Sequence, residues 1–158
     1  MTLIAAVDRA WGIGHGGGLL WRIPADLQRF KALTMGHALL MGRRTFESLP
    51  EPLPGRAHGV LSQNLAFAPP GVTVLRTKEE ALAWAQGRET FLIGGASVYE
   101  ALQDHCDTAY ITKIDALGGA DAFMPDLDAL PQWRLTEAGP WQEDAGVRFR
   151  YCVYAHVP

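Results

Sequence analysis

The sequence predicts a single α/β domain whose mostly parallel sheet is closed at one side by an antiparallel strand pair. Three observations carry that prediction. Short, almost wholly apolar runs bounded by turn residues recur along the chain, as in strands buried on both faces. Helical patterns lie between them, the kind of connection that parallel neighbours need. The tail behaves differently, alternating apolar and polar residues like an antiparallel strand with one wet face.

The first strand is predicted at Leu3-Val7, followed by a glycine-rich loop from Gly12 to Gly18. A helix then runs over Pro24-Leu33, with proline at a favoured first-turn position and Gly36 as its stop. The strand Ala38-Met41 leads through Gly42-Arg43-Arg44-Thr45 into a short helix ending at Ser48. The Pro/Gly clusters Leu49-Gly55 and Ala68-Gly71 are loops around the strand Gly59-Ser62, and Val72-Leu75 is the next strand. Lys78-Gln86 places Ala81, Leu82 and Ala85 on one helical face. Thr90-Ile93 is a strand that enters a helix over Ser97-Gln103 through Gly94-Gly95-Ala96, and Ala109-Ile114 is a sixth buried strand. Finally Phe149, Tyr151, Val153, Ala155 and Val157 alternate along Arg148-Val157, with Trp133-Ala138 as hairpin partner through Gly139-Pro140 and Ala145-Gly146.

Composition narrows the function. The 158 residues carry 48% hydrophobic and 20% charged side chains, which excludes disorder and is enough chain for one core. With 14 Lys+Arg against 17 Asp+Glu the chain is mildly acidic, which argues against nucleic acid as the main partner. Any phosphate must be met by locally placed cations. Two cysteines, Cys106 and Cys152, are too few for a disulfide framework, so a cytoplasmic, reducing compartment is expected. No signal peptide, membrane segment or internal repeat is expected. The histidines lack zinc spacing with either cysteine, so no metal is expected.

Three features could carry chemistry. Gly12-Ile13-Gly14-His15-Gly16-Gly17 matches G-x-G-x-x-G, but no helix follows until Pro24, so the Rossmann reading fails on context. The loop is then either a slack connection or a hinged lid. Asp26 lies in the first helical turn, where an acid complements the macrodipole. It also borders the apolar stripe of Phe30 and Leu33 with Leu27 beside it, where burial would raise its pKa. The third feature is the pair of strand-to-helix junctions at Gly42-Arg43-Arg44-Thr45 and Gly94-Gly95-Ala96-Ser97. Each reads as a tight turn requiring glycine or as an anion cradle, and two in one small sheet favour an extended anionic ligand.

Seven blocks share one pattern in order and spacing: Ile4-Ala5-Ala6-Val7; Gly14 with Leu19-Leu20-Trp21; Ile23-Pro24-Ala25-Asp26-Leu27; Met41-Gly42-Arg43 with Thr45-Phe46-Glu47-Ser48; Leu53-Pro54-Gly55-Arg56; Ile93-Gly94-Gly95 with Tyr99; and Thr112-Lys113-Ile114. Together they resemble the dihydrofolate reductase family of the bacterial type, from Leu3 to Val157. The resemblance implies a three-layer fold: an eight-stranded, mostly parallel sheet with a C-terminal antiparallel strand, flanked by four helices. It also implies NADPH as cofactor, dihydrofolate as substrate, antifolates as inhibitors, and a monomer.

It further implies roles. Asp26 is the pocket carboxylate for the pterin, braced by Thr112, with Trp21 holding a water and Leu19 in the lid. Ile4, Leu27 and Phe30 pack on the substrate rings, with Leu53 and Tyr99 among the substrate contacts, while Ala6 and Ile93 offer carbonyls. Arg56 anchors the α-carboxylate of the glutamate tail. Arg43, Ser62 and Arg76 surround the adenosine 2′-phosphate, and Arg44, Thr45 and Gly42 lie near the pyrophosphate. The remaining cofactor contacts are Ala6, Ile13, Gly14 and Leu61, then Ile93 with Gly94, Gly95, Ala96, Ser97, Val98 and Tyr99. A cis peptide joins two glycines at the second junction in this family.

The pterin N5 lies away from the carboxylate in the family, so the resemblance implies that its proton comes from water. Three departures stand out: Leu19 for Met and Leu20 for Pro in the lid, the run Gly16-Gly17-Gly18, and Ala57-His58-Gly59 where a basic, polar stretch is common. Two other readings compete. The related reductase domain of riboflavin biosynthesis would not call for Asp26 or Arg56, and a non-catalytic NADPH or folate binder would not call for Asp26, Trp21 and Thr112 together.

Overall fold

A computed structural model describes all residues 1–158 of the chain. In chain order the elements are β1 (Thr2–Val7), β2 (Gly12–Gly14), α1 (Pro24–Thr34), β3 (Ala38–Gly42), α2 (Arg43–Ser48), β4 (Ala57–Leu61), β5 (Thr73–Leu75), α3 (Lys78–Ala85), β6 (Thr90–Gly94), α4 (Ala96–Leu102), β7 (Thr108–Ile114), β8 (Ala122–Phe123), β9 (Trp133–Ala138), β10 (Gln142–Asp144) and β11 (Val147–His156). The main sheet runs β10-β11-β7-β1-β6-β3-β4-β5, parallel from β7 to β5, with β11 antiparallel to β7. Eight strand positions and four helices agree with the expected three-layer architecture.

The apolar strands are buried for the reason the sequence suggests. Leu3 and Val7 of β1, Leu39, Leu40 and Met41 of β3, and Leu92 of β6 are all essentially inaccessible, packed under helices on both faces. Three core clusters result, one including Leu3, Leu40 and Ile111, a second Ile4, Met41 and Val60, and a small third Ile23, Ile114 and Phe149.

Three details differ from the sequence reading. The tail has a second partner besides the expected one: β9, over the expected Trp133–Ala138, pairs with Cys152–His156, and an additional strand β10 pairs with Val147–Phe149. Pro140 lies between β9 and β10, where it offers no N–H to the ladder. Second, β4 begins at Ala57 and leaves Ser62 outside, because Ala57 and the buried His58 pair with Ala38 and Leu39. A polar residue in the run hid that start. Third, the front of the glycine loop is not loop at all, since Gly12 and Gly14 pair with Phe123 and Ala122. The buried Asp8 sets this up: its Oδ1 accepts the Ala10 and Gly12 N–H groups at 2.9 and 2.8 Å, and its Oδ2 accepts the Gly118 N–H at 3.1 Å. A side chain at Gly12 would run into Ala120, so only glycine passes here.

The sheet also makes room for a site. β1 pairs with β7 over six positions, to Val7–Lys113, but with β6 over only two, Thr2–Phe91 and Leu3–Leu92. Beyond Leu3 the two central strands part at their carboxyl ends. Ligands of open α/β sheets bind at such a parting.

Candidate active site

A cleft of about 850 Å³ occupies that parting, within the roughly 300–1,000 Å³ range typical of small-molecule sites. One wall is the α2 junction, Gly42 to Thr45, and another is the α4 junction, Ile93 to Tyr99. Ala6 forms part of the floor, Ile13, Gly14 and Leu19 the roof, and Leu61 the outer end. Neither α2 nor α4 has a side chain capping its first N–H groups, so those donors are open to an anion. Arg43, only loosely paired with Glu47 at 3.7 Å, and Arg44 add the local cations that the acidic composition required.

Close packing explains the junction glycines. A Cβ at Gly42 would meet Val98 Cγ2 at 3.0 Å, and at Gly94, where φ is +121°, it would meet the Tyr99 ring at 3.2 Å. The Gly94–Gly95 peptide is cis, as the resemblance implied. Tyr99 is buried and its hydroxyl donates to the Ile4 carbonyl at 2.7 Å, tying α4 to the strand that opens the cleft.

Asp26 stands beside this floor. Pro24 starts α1, and Asp26 in its first turn reaches across to β7, where the Thr112 hydroxyl donates to its Oδ1 at 2.6 Å. Thr112 is buried, and its β1 neighbour in the register is Ala6. Burial pushes the Asp26 carboxyl above the ordinary carboxylate range, against the lowering pull of the Thr112 hydrogen bond and the Arg29 charge. Phe30, Leu53 and Ile93, half-buried, pack against the core cluster that contains Ile4, making an apolar wall near the acid. Trp21 packs with Ala6 and Ala25 against the cluster of Ile23, Ile114 and Phe149. Leu27 is half-buried.

At the outer end of this wall is Arg56. Its Nε donates to the Pro54 carbonyl at 3.0 Å and its Nη1 to Thr34 Oγ1 at 3.2 Å. Ser62 and Arg76 do not line the cleft. Ser62 Oγ accepts the Asn64 N–H, and the Arg76 guanidinium reaches the carbonyls of Ser62, Asn64 and Phe67 at 3.0, 2.6 and 3.2 Å. Both brace the loop beyond β4.

Several contributors carried no local sequence signal. Asp121 and Ala122 line the roof, and Asp121 Oδ2 accepts the Gly16 N–H at 2.9 Å while His15 Nδ1 sits 3.0 Å from the Gly119 carbonyl. The glycine loop is therefore strapped to a segment more than a hundred residues away, which a slack connection would not be. Arg29 lies 4.0 Å from the Tyr151 ring centroid and 5.6 Å from that of Tyr110. Leu49 joins the apolar wall from the end of α2.

Comparison with known proteins gives a consistent result. The family model for dihydrofolate reductase matches residues 1–156. A dihydrofolate reductase of Mycobacterium tuberculosis (strain ATCC 25618 / H37Rv) is 40% identical over 160 residues, covering 96% of this chain and 95% of that protein. The dihydrofolate reductase of Bacillus subtilis (strain 168) is 34% identical, covering 98% and 93%. Among solved structures, a dihydrofolate reductase from Enterococcus faecalis complexed with NADP(H) and RAB-propyl superposes with a TM-score of 0.89 at 34% identity, over 98% of this chain and 95% of that one. This chain belongs to the dihydrofolate reductase family.

Proposed function

We propose that Asp26 and the apolar wall beside it hold the pterin of 7,8-dihydrofolate while the adjoining cleft holds NADPH, so that this chain performs the family's reduction to tetrahydrofolate. The observation that carries this reading is the Thr112-braced, half-buried Asp26 carboxylate next to the cleft floor. Thr112 occupies one lone pair of Oδ1, leaving acceptors for the 2-amino group and ring N–H of a pterin. Ile4, Phe30 and Leu53 supply flat apolar contact, Leu27 adds to it, and Arg56 receives the glutamate α-carboxylate at the rim.

The cleft residues fit the cofactor. Its two uncapped helix starts and Arg43-Arg44 suit an extended diphosphate, and the glycines leave the backbone open to close approach. Arg43 at the rim, with Ser62 and Arg76 beyond Leu61, suits the 2′-phosphate and hence NADPH over NADH. When bound, NADPH supplies the hydride that C6 of the pterin receives. The chain's own part is electrostatic: Asp26 orients the ring and makes its N5 more basic, so that water entering past Leu19 and Trp21 can protonate it. The strapped roof from Ile13 to Leu19 keeps bulk water out, which strengthens the carboxylate's influence.

In this reading the protein acts as a monomer, and the buried free thiols Cys106 and Cys152 suit the reducing cytoplasm. Antifolates that mimic the pterin compete for Asp26. The decisive experiment follows NADPH absorbance with and without dihydrofolate, in the wild type and Asp26→Asn. The variant should lose about 10²–10⁴-fold in turnover at neutral pH, the range for a lost acid–base group, and regain part of it in acid as N5 protonates unaided. Undiminished turnover at neutral pH would remove Asp26 from the mechanism.

A further inference from the structure

His58 stands one strand residue past the Arg56 loop and is 4% exposed. Both of its ring nitrogens are engaged with that loop and nothing else. Nε2 accepts the Leu53 N–H at 3.0 Å, which leaves the ring proton on Nδ1, and Nδ1 lies 2.9 Å from the Arg56 carbonyl, to which it donates. The imidazole therefore bridges the two ends of Leu53-Pro54-Gly55-Arg56, a four-residue turn that folds back through Gly55 at φ +75°. The turn's other ties run to the end of α1 and just beyond it: the Gly36 N–H donates to the Gly55 carbonyl at 3.0 Å and Arg56 Nη1 to Thr34 Oγ1.

We infer that His58 is a positioning residue for substrate: its neutral imidazole fixes the turn that aims Arg56 at the glutamate tail. This rests on the reading of Arg56 as the tail's anchor. The neighbours of the ring are consistent with a neutral group. Leu39 lies beside it on β3 and Phe46 of α2 meets it edge-on at 6.3 Å, neither of them charged, and the charged group acting on it is Arg56 itself. Burial and that guanidinium both hold the imidazole below the ordinary histidine range. A protonated ring would lose the acceptor for Leu53 and bring a second cation beside Arg56. The orientation also matters for specificity. A guanidinium serves a carboxylate bidentately only when its plane is fixed, and the Arg56 bonds to Pro54 and Thr34 hold that plane only while the turn keeps its shape.

The test compares two substrates, dihydrofolate and a 6-methyl-7,8-dihydropterin that lacks the benzoylglutamate. In His58→Ala the KM for dihydrofolate should rise about five- to tenfold, as expected for one or two lost hydrogen bonds, with kcat changed less than about twofold. The KM for the tailless pterin should stay within about twofold, because the pterin is held at Asp26. His58→Asn should restore most of the dihydrofolate KM, since a carboxamide offers both an acceptor for Leu53 and a donor for Arg56. Melting curves of both variants accompany the kinetics, and the asparagine variant keeps the test informative should the alanine variant fail to fold. Equal KM increases for both substrates in His58→Ala, or no rescue by asparagine, would overturn the inference. Arg56→Ala separates the two readings. If it raises the dihydrofolate KM and His58→Ala does not, His58 alone is wrongly assigned. If Arg56→Ala leaves the ratio of the two KM values untouched, the tail anchor falls and the inference falls with it.

Discussion

Asp26 is pulled in two directions by its own neighbours, and the balance sets the pH range in which it can work. Burial is the larger influence and raises its pKa, while the Thr112 hydroxyl and the Arg29 charge lower it. Thr112 acts through a 2.6 Å hydrogen bond, but Arg29 acts at longer range, its guanidinium held on the Tyr151 face one helical turn after the acid. Removing that cation while keeping the polar chain should let burial dominate further. In Arg29→Gln the acid limb of the kcat/KM profile should therefore move to higher pH, because a carboxylate with a higher pKa is ionised over a narrower range. Loss of the stacking on Tyr151 and Tyr110 should also cost about 0.5–1 kcal/mol of stability. An unmoved acid limb would mean that Arg29 is only a packing residue. From sequence alone Arg29 reads as one more solvated charge on an amphipathic helix, since the rings that claim it lie 81 and 122 residues downstream at Tyr110 and Tyr151.

Helix α1 carries Asp26 but does not cap itself. Its N-cap is the buried Ile23, which has no side-chain acceptor, and the first free donor after Pro24 is the Ala25 N–H. That donor goes to Asp144 Oδ2 at 3.0 Å, from the last residue of β10 in the tail hairpin. Asp144 thus acts as a cap supplied across the fold, one residue from Asp26. Asp144→Ala should lower stability by about 1 kcal/mol, the usual size of a lost cap. It should also weaken dihydrofolate binding, because the freed helix start shifts Asp26 against Thr112. Asp144→Asn, an equally good cap, should retain stability in thermal melts, and equal losses in both variants would point to charge rather than capping. Here the limits of sequence reading become physical. Strands such as β3 and β6 are legible because burial on both faces demands an unbroken apolar run. β2 and β8 are not, for segments of three and two residues gain their pairing from a partner more than a hundred residues away. β10 is hidden for the same reason, since its Gln142-Glu143-Asp144 has no apolar face and is ordered only by β11.

At the scale of the molecule, the parting of β1 from β6 opens a cleft lined by Arg43, Arg44 and the two glycine junctions, with Asp26 beside its floor, in an otherwise well-packed sheet. The blocks that line it, from Met41-Gly42-Arg43 to Ile93-Gly94-Gly95, are legible because glycine and arginine at strand ends have few other uses together. Asp121, Asp144 and Arg29 are not, because each acts through contacts distant in sequence. A site assembled this way should be held against the preference of the fold, and Asp26 offers the means to measure it. Its pKa is raised in the folded chain, so the native state holds that proton more tightly than the unfolded chain does. This contribution is complete below the unfolded value of 3.8 and is lost as pH rises through the folded one, so at neutral pH the ionised acid destabilises the protein. Asparagine at the same position keeps an acceptor for Thr112 but carries no charge to bury. Asp26→Asn should accordingly melt above the wild type at neutral pH, by about 2–4 °C for each kcal/mol relieved in a chain of this length. The gap should close as the pH falls and the wild-type acid takes up its proton. A variant that melts at or below the wild type at neutral pH would show that the carboxylate is held without strain. Its ionisation would then place no penalty on the fold, and the catalytic advantage of burial would have to be sought elsewhere.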